Sequence, residues 1–235
     1  SLTKKIIKKL FKKSSFVAVR DEDSKRIIKK LIRGKKVHLM PDLLFFLQPK
    51  FKQAKENKII LCLRDQPGKP QDFDKNLAKS INYLIQKDEA LQIDFLPFEK
   101  DSDERYHEQI IEKIAEKGRV QTRDFTEKRH KIEKLFSESK MVIGVRLHSV
   151  LMAINTETPF IAINYNPKVR NLLKTLGLSK FVIEPADATP ENITQLYKTI
   201  LEKEDQVVKK LKEVKEEQMR KHELTVSSLN KFIIN

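Results

Sequence analysis

The sequence predicts an α/β protein: a Rossmann-like, mostly parallel sheet with helices on both faces. Two observations carry this. Short runs rich in Ile, Val, Leu and Phe alternate along the chain with stretches of helical periodicity. No repeat, low-complexity segment or Pro/Gly-rich linker interrupts residues 16–185, so one domain is expected there. Hydrophobic residues make up 39%, enough for a core.

Strands are expected at "FVAVRD" (16–21), "VHLMPD" (37–42), "KIILCLRD" (58–65), "LQIDFLPF" (91–98), "MVIGVRL" (141–147), "PFIAINY" (159–165) and "KFVIEP" (180–185). A shorter one is expected at "RVQTRD" (119–124). Helices are expected between them, at 24–33, 73–87, 103–117, 126–138, 148–156 and 167–176. Ser24, Asp72 and Thr189 stand where N-caps belong, and Pro190 suits the first turn that follows. From there to about Lys221 the chain reads as long, charged helix. The opening "LTKKIIKKLFKK" places Leu2, Ile6, Ile7, Leu10 and Phe11 on one helical face, with six lysines elsewhere. That face is expected to pack on the domain. An anionic membrane surface or an absent neighbouring domain are its other candidate occupants.

Charge and cysteine content narrow the function classes. Lys and Arg outnumber Asp and Glu by 48 to 33, and residues 1–36 hold fourteen of the cations against three acids. Such a patch is either a solvated surface or an attractor of polyanions. Aromatics are not interleaved with these cations as a single-strand nucleic-acid platform requires, so nucleic acid is not the expected partner. The single cysteine, Cys62, lies in the apolar run "IILCL" and reads as core. One cysteine cannot form an internal disulfide, which fits a reducing cytoplasm. His38, His107, His130 and His222 read as strand or helix-surface residues without partners at metal-ligand spacing, so no metal is expected. None of the five glycines forms a phosphate loop, which argues against a dinucleotide cofactor or a P-loop nucleotide.

In open α/β sheets, ligands bind outside the carboxyl ends of the strands. The residues expected there are polar and cationic: Arg20 and Asp21, Asp42, Arg64 and Asp65, Arg146 and His148, Asn166 and Lys168. Placed along one edge, the cations and the helix starts near Ser24, His148 and Pro167 would make an anion pocket. Each also has a plain structural reading. Arg146 would pair with Asp21 or Asp42, Arg20 with the acids that follow it, and His148 would sit at a helix start.

The segments "FVAVRDEDS" (16–24), "MPDLLFFL" (40–47), "IILCLRD" (59–65), "DFLPF" (94–98), "MVIGVRLHSVLMAI" (141–154) and "PFIAINYNPKV" (159–169), in this order and spacing, resemble the polysaccharide pyruvyl transferase family. The closest type is the bacterial one that places pyruvate ketals on cell-wall polymers. The resemblance implies a glycosyltransferase-B-like protein of two Rossmann-like halves, of which this chain would be the C-terminal half, with an N-terminal half or partner domain missing. It divides the chain into a basic amphipathic connecting helix (1–15), a Rossmann-like donor-binding domain (16–188) and a charged helical segment (189–235). Phosphoenolpyruvate is the implied donor, with no cofactor, and a sugar diol on a glycan or lipid-linked saccharide is the implied acceptor. Arg20, Arg146, Leu147, His148 and Lys168 would hold the donor, with His148 and Arg146 catalytic and Arg64, Asp42 and Asn166 as further candidates. The enzyme would be cytoplasmic, peripheral on the inner face of the plasma membrane.

Two other readings remain open at this level. The same edge would suit a glycosyltransferase half-domain that binds a sugar nucleotide, with Glu184 on the ribose and Tyr165 under the base. The basic first 36 residues would suit a nucleic-acid- or membrane-binding module without catalysis.

Overall fold

The computed structural model describes residues 2–47, 49, 55–124 and 129–234. They form two compact units, one of residues 1–48 and 213–235, the other of residues 49–212. The expected boundaries at 15/16 and 188/189 differ from these. Strand pairing accounts for the first, since the first two strands bond to each other and not to the main sheet.

The first unit contains α1 (Leu2–Lys13), β1 (Ala18–Val19), α2 (Glu22–Leu31), β2 (His38–Leu39), a 3-10 turn (Leu43–Phe46) and the later part of α9 (Glu204–Ile234). β1 and β2 are parallel, with Ala18 opposite His38 and Val19 opposite Leu39. Val17, Ile28, Ile32 and Val37 form a core on which Phe11, Val19 and Leu31 pack. The α2 cap is Asp21, not Ser24: its carboxylate accepts the Ser24 amide at 2.7 Å and the Ser24 hydroxyl at 2.8 Å. An aspartate three residues earlier satisfies the free amides of the first turn, which Ser24 itself occupies.

The apolar face of α1 is not packed as expected. The helix buries no residue, and Leu2, Ile6 and Leu10 are 74%, 50% and 61% exposed. On the first-unit part of α9, by contrast, Val214, Gln218, His222 and Thr225 form a buried stripe, and the Thr225 hydroxyl donates to the Leu39 carbonyl at 2.7 Å.

The second unit is a six-stranded, wholly parallel sheet. Its strands are β3 (Glu56–Cys62), β4 (Gln92–Phe95), β5 (Val120–Thr122), β6 (Ser139–Gly144), β7 (Phe160–Ile163) and β8 (Val182–Ile183), in the order β5-β4-β3-β6-β7-β8. The intervening helices are α3 (Phe73–Lys87), α4 (Lys100–Ile111), α5 (Arg129–Glu138), α6 (Leu147–Asn155) and α7 (Pro167–Thr175), with α8 (Pro190–Glu202) after the last strand. Ile59 to Leu63 are fully buried, as a strand covered on both faces must be. This is the α/β class that the alternation of runs predicts. The Thr189 side chain caps α8 as expected, whereas Asp72 precedes α3 without a side-chain cap bond. Cys62 is buried, and burial pushes its thiol pKa up. No helix among the described residues is long and apolar enough to cross a membrane.

One close approach shapes the carboxyl end of β6. A Cβ on Gly144 would lie 2.4 Å from the Ser149 Oγ and 3.3 Å from its Cβ, so only glycine lets the first turn of α6 fold over the strand end. Gly144→Ala is expected to cost about 1–3 kcal/mol of stability, read from urea unfolding midpoints. Adding Ser149→Ala relieves part of that cost, so the double variant loses less than the two single losses together.

Candidate functional site

The main sheet reverses its order at its centre. From β3 the chain steps through β4 and β5 to one side, then returns beside β3 as β6 and continues through β7 and β8 to the other. The crevice outside the carboxyl ends of β3 and β6 is therefore the topological switch point, where such sheets bind ligands. Six expected residues follow the three adjacent strands there: Arg64 after β3, Arg146, Leu147 and His148 after β6, and Asn166 and Lys168 after β7.

The other two expected residues belong elsewhere. Arg20 and Asp42 follow β1 and β2, so the single polar edge expected from the sequence is divided between two sheets. Arg20 Nη1 donates to Asp42 Oδ2 at 2.9 Å, not to the acids that follow it in the chain. The pair lines a first-unit cavity of about 250 Å³ with Val19, Met40, Pro41 and Leu43.

Arg146 occupies the N-cap position of α6 in extended backbone, and its carbonyl accepts the Ser149 amide at 3.1 Å and hydroxyl at 2.7 Å. Its guanidinium is paired, but with neither Asp21 nor Asp42. Nε and Nη2 donate to the Asp103 carboxylate at 2.8 and 2.5 Å, and Nη2 also donates to Glu99 Oε2 at 2.9 Å. Asp103 is 1% exposed and also accepts the amides of Phe98 and Glu99 at 3.0 and 3.1 Å. Burial opposes the Arg146 charge, but the two carboxylates more than offset it and raise its pKa. The Glu99 side chain is 61% exposed, so the guanidinium has one fixed partner and one exposed partner.

His148 and Lys168 are exposed second residues of α6 and α7. Leu147, the first residue of α6, is half-buried. Asn166 caps α7, its side chain accepting the Lys168 amide at 2.9 Å.

At this edge Asn164 is the residue that was not singled out from the sequence. Among the described residues, Arg64 Nε, Asn164 Oδ1 and the Tyr165 hydroxyl are buried without a hydrogen-bond partner. They stand at the carboxyl ends of β3 and β7, on either side of β6. A buried polar group costs about 1–3 kcal/mol when neither water nor a ligand reaches it. Asn164 is 4% exposed, and its amide donates to both Glu184 oxygens at 3.1 and 3.0 Å. A polar residue closing the apolar run "FIAI" was the available signal for Asn164.

The loop after Arg64 is pinned. Lys69 Nζ lies 2.6 Å from Asp65 and 2.8 Å from Asp74, and 4.3 Å from the Tyr106 ring centroid. The Tyr106 hydroxyl closes the set on Asp74 at 2.5 Å.

Two histidines expected on helix surfaces are buried instead, His107 at 0% and His222 at 2% exposure. His107 Nε2 lies 2.9 Å from the Leu63 carbonyl, so the neutral ring carries its proton on Nε2 and ties α4 to the end of β3. Burial lowers its pKa to about 4. The unfolded chain therefore takes up this proton first as pH falls below about 6.5, and the folded state loses up to about 3 kcal/mol by pH 4. His107→Gln keeps a donor for Leu63 but does not titrate. Urea unfolding from pH 7 to 4 should show a smaller loss for this variant than for the parent.

A family model described as polysaccharide pyruvyl transferase matches residues 1–167. Among solved structures, the chain is similar to TarM at 17% identity and a TM-score of 0.61, over 99% of this chain and 46% of that one. It is similar to the UDP-GlcNAc 2-epimerase of Neisseria meningitidis bound to UDP-GlcNAc at 14% identity and TM-score 0.61, over 93% of this chain and 61% of that one. The pneumococcal O-GlcNAc transferase GtfA in complex with UDP and GlcNAc matches at 16% identity and TM-score 0.58, over 94% of this chain and 46% of that one. The chain spans about half the length of TarM and GtfA. At these identities the likeness is one of fold, and that fold is the glycosyltransferase-B-like α/β class expected from the sequence.

Proposed function

Because the chain belongs to the polysaccharide pyruvyl transferase family, we propose that its second unit binds phosphoenolpyruvate for ketal transfer to a sugar diol of a cell-surface or lipid-linked glycan. The observation that carries this reading is the cationic switch point with its unpartnered buried atoms. Arg64, Arg146 and Lys168 supply positive charge there, and α6 and α7 begin there. A compact anion bearing both a carboxylate and a phosphate suits such a place.

The two acids on Arg146 divide their work. Asp103, buried and bonded to four donors, fixes the guanidinium plane. Glu99, exposed and bonded to Nη2 alone among the Arg146 nitrogens, is the partner that an incoming anion displaces.

In the reaction the methylene carbon of the donor gains a proton and a sugar hydroxyl adds to the neighbouring carbon. The C–O bond to phosphate then breaks, and the second hydroxyl closes the ketal with loss of its proton. The net products are the ketal and inorganic phosphate. His148 is the group on this edge suited to exchanging these protons, since imidazole does so near neutral pH. On this reading a phosphoenolpyruvate donor supports a cytoplasmic enzyme.

The sugar-nucleotide reading is less well served. Glu184 already accepts from Asn164 and from Arg170, and Tyr165 packs edge-on against Phe73 at 5.5 Å.

Calorimetric titration of the chain with phosphoenolpyruvate and with UDP-GlcNAc separates the two, and tighter binding of the nucleotide sugar overturns the donor assignment. Arg146→Ala is expected to weaken phosphoenolpyruvate about 10- to 150-fold. Glu99→Gln should strengthen it about threefold by removing the competing charge. His148→Ala should leave donor binding near the parent value while pyruvate transfer falls about 10²- to 10⁴-fold. Arg20→Ala, in the first unit, is expected to leave phosphoenolpyruvate affinity near the parent value, and a loss comparable to that of Arg146→Ala would favour the resemblance's assignment of Arg20 to the donor instead.

A further inference from the structure

The α1 helix has a face that its own unit leaves open. Leu2, Ile6 and Leu10 recur every four residues, so they form one stripe, and each is at least half exposed. The helix contains six lysines and no acid. On a helical projection Lys5 and Lys9 flank the stripe on the side away from Phe11. Phe11 packs on the core of Val17, Ile28, Ile32 and Val37. The Lys35 ammonium binds the carbonyls of Lys12 and Ser14, which fixes the carboxyl end of the helix. The stripe is therefore held outward by the packing of its own helix's far end.

We infer that α1 is an interfacial helix that lies on a membrane surface bearing anionic lipid headgroups. Charge complementarity selects this occupant. A second copy of the chain would bring six lysines against six of the same sign, which like-charge repulsion opposes. A lipid surface accepts the three apolar side chains among its acyl chains while the lysine stems reach up to the phosphates. With six lysines among the twelve residues Leu2–Lys13, the helix suits the interface and not the hydrocarbon core. The inference is independent of the donor bound by the second unit.

The test is cosedimentation of the chain with vesicles of phosphatidylcholine alone or with roughly 30% phosphatidylglycerol, at low and physiological salt. Partitioning into the anionic vesicles at least about 30-fold stronger than into the neutral ones is expected. Ile6→Glu with Leu10→Glu, two exposed positions, should lower it at least about tenfold with an unchanged circular dichroism spectrum. Equal binding to both vesicle types overturns the inference, as does absence of binding to either. Undiminished binding by the double variant reduces the effect to lysine adsorption and also overturns it. So does a concentration-dependent dimer that the double variant abolishes, because the stripe would then belong to a second copy.

Discussion

The carboxylate of Asp103 ties the switch-point edge together. It takes two amides from the loop after β4 and two guanidinium nitrogens from Arg146 after β6. Those strands flank β3, so one side chain on α4 bridges the strand on either side of it. One turn along α4, His107 meets the Leu63 carbonyl at the end of β3 itself. Two residues on one helical face thus fix the carboxyl ends of three neighbouring strands. The width of the switch-point crevice follows from that arrangement.

The balance of paired and unpaired polar groups at the edge is uneven, and the unevenness is informative. Asp103, Asp74 and Lys69 are satisfied by several partners each and serve as supports. Arg64 Nε, Asn164 Oδ1 and the Tyr165 hydroxyl are buried without partners among the described residues. A buried group that lacks a partner weakens the fold by itself, and these three stand where the topology opens. In the first unit the equivalent strand-end residues, Arg20 and Asp42, satisfy one another.

Much of the second unit was legible in the sequence because its signals are local. Apolar runs of strand length mark β3, β6 and β7, and the helical period fixes α3 over residues 73–87 as observed. Pairing is not local. Nothing in "FVAVRD" or "VHLMPD" says that these two runs bond to each other and not to the larger sheet. The same holds for charge partners: Arg146 finds Asp103, on α4, where the strand ends had offered Asp21 and Asp42 as candidates. Burial of polar residues is equally opaque. Asp94 lies within "QIDF" at 0% exposure because Gln121, opposite it on β5, and Arg123, just after β5, supply its hydrogen bonds. His107 reads as a polar helix residue until its carbonyl partner is known. For α1, the period showed the apolar face but not whether anything would cover it.

The central pairing carries a consequence for synthesis. In β3 the residues Ile60 and Leu61 bond on one side to β4, which follows soon after, and on the other to Val142 and Ile143, far later in the chain. As the polypeptide leaves the ribosome, the uncharged segment "IILCL" therefore has one open hydrogen-bonding edge until β6 emerges. A nascent chain of this kind is most vulnerable to association during that interval, so slowed elongation between β4 and β6 would lower the yield of soluble protein without altering any contact in the finished fold.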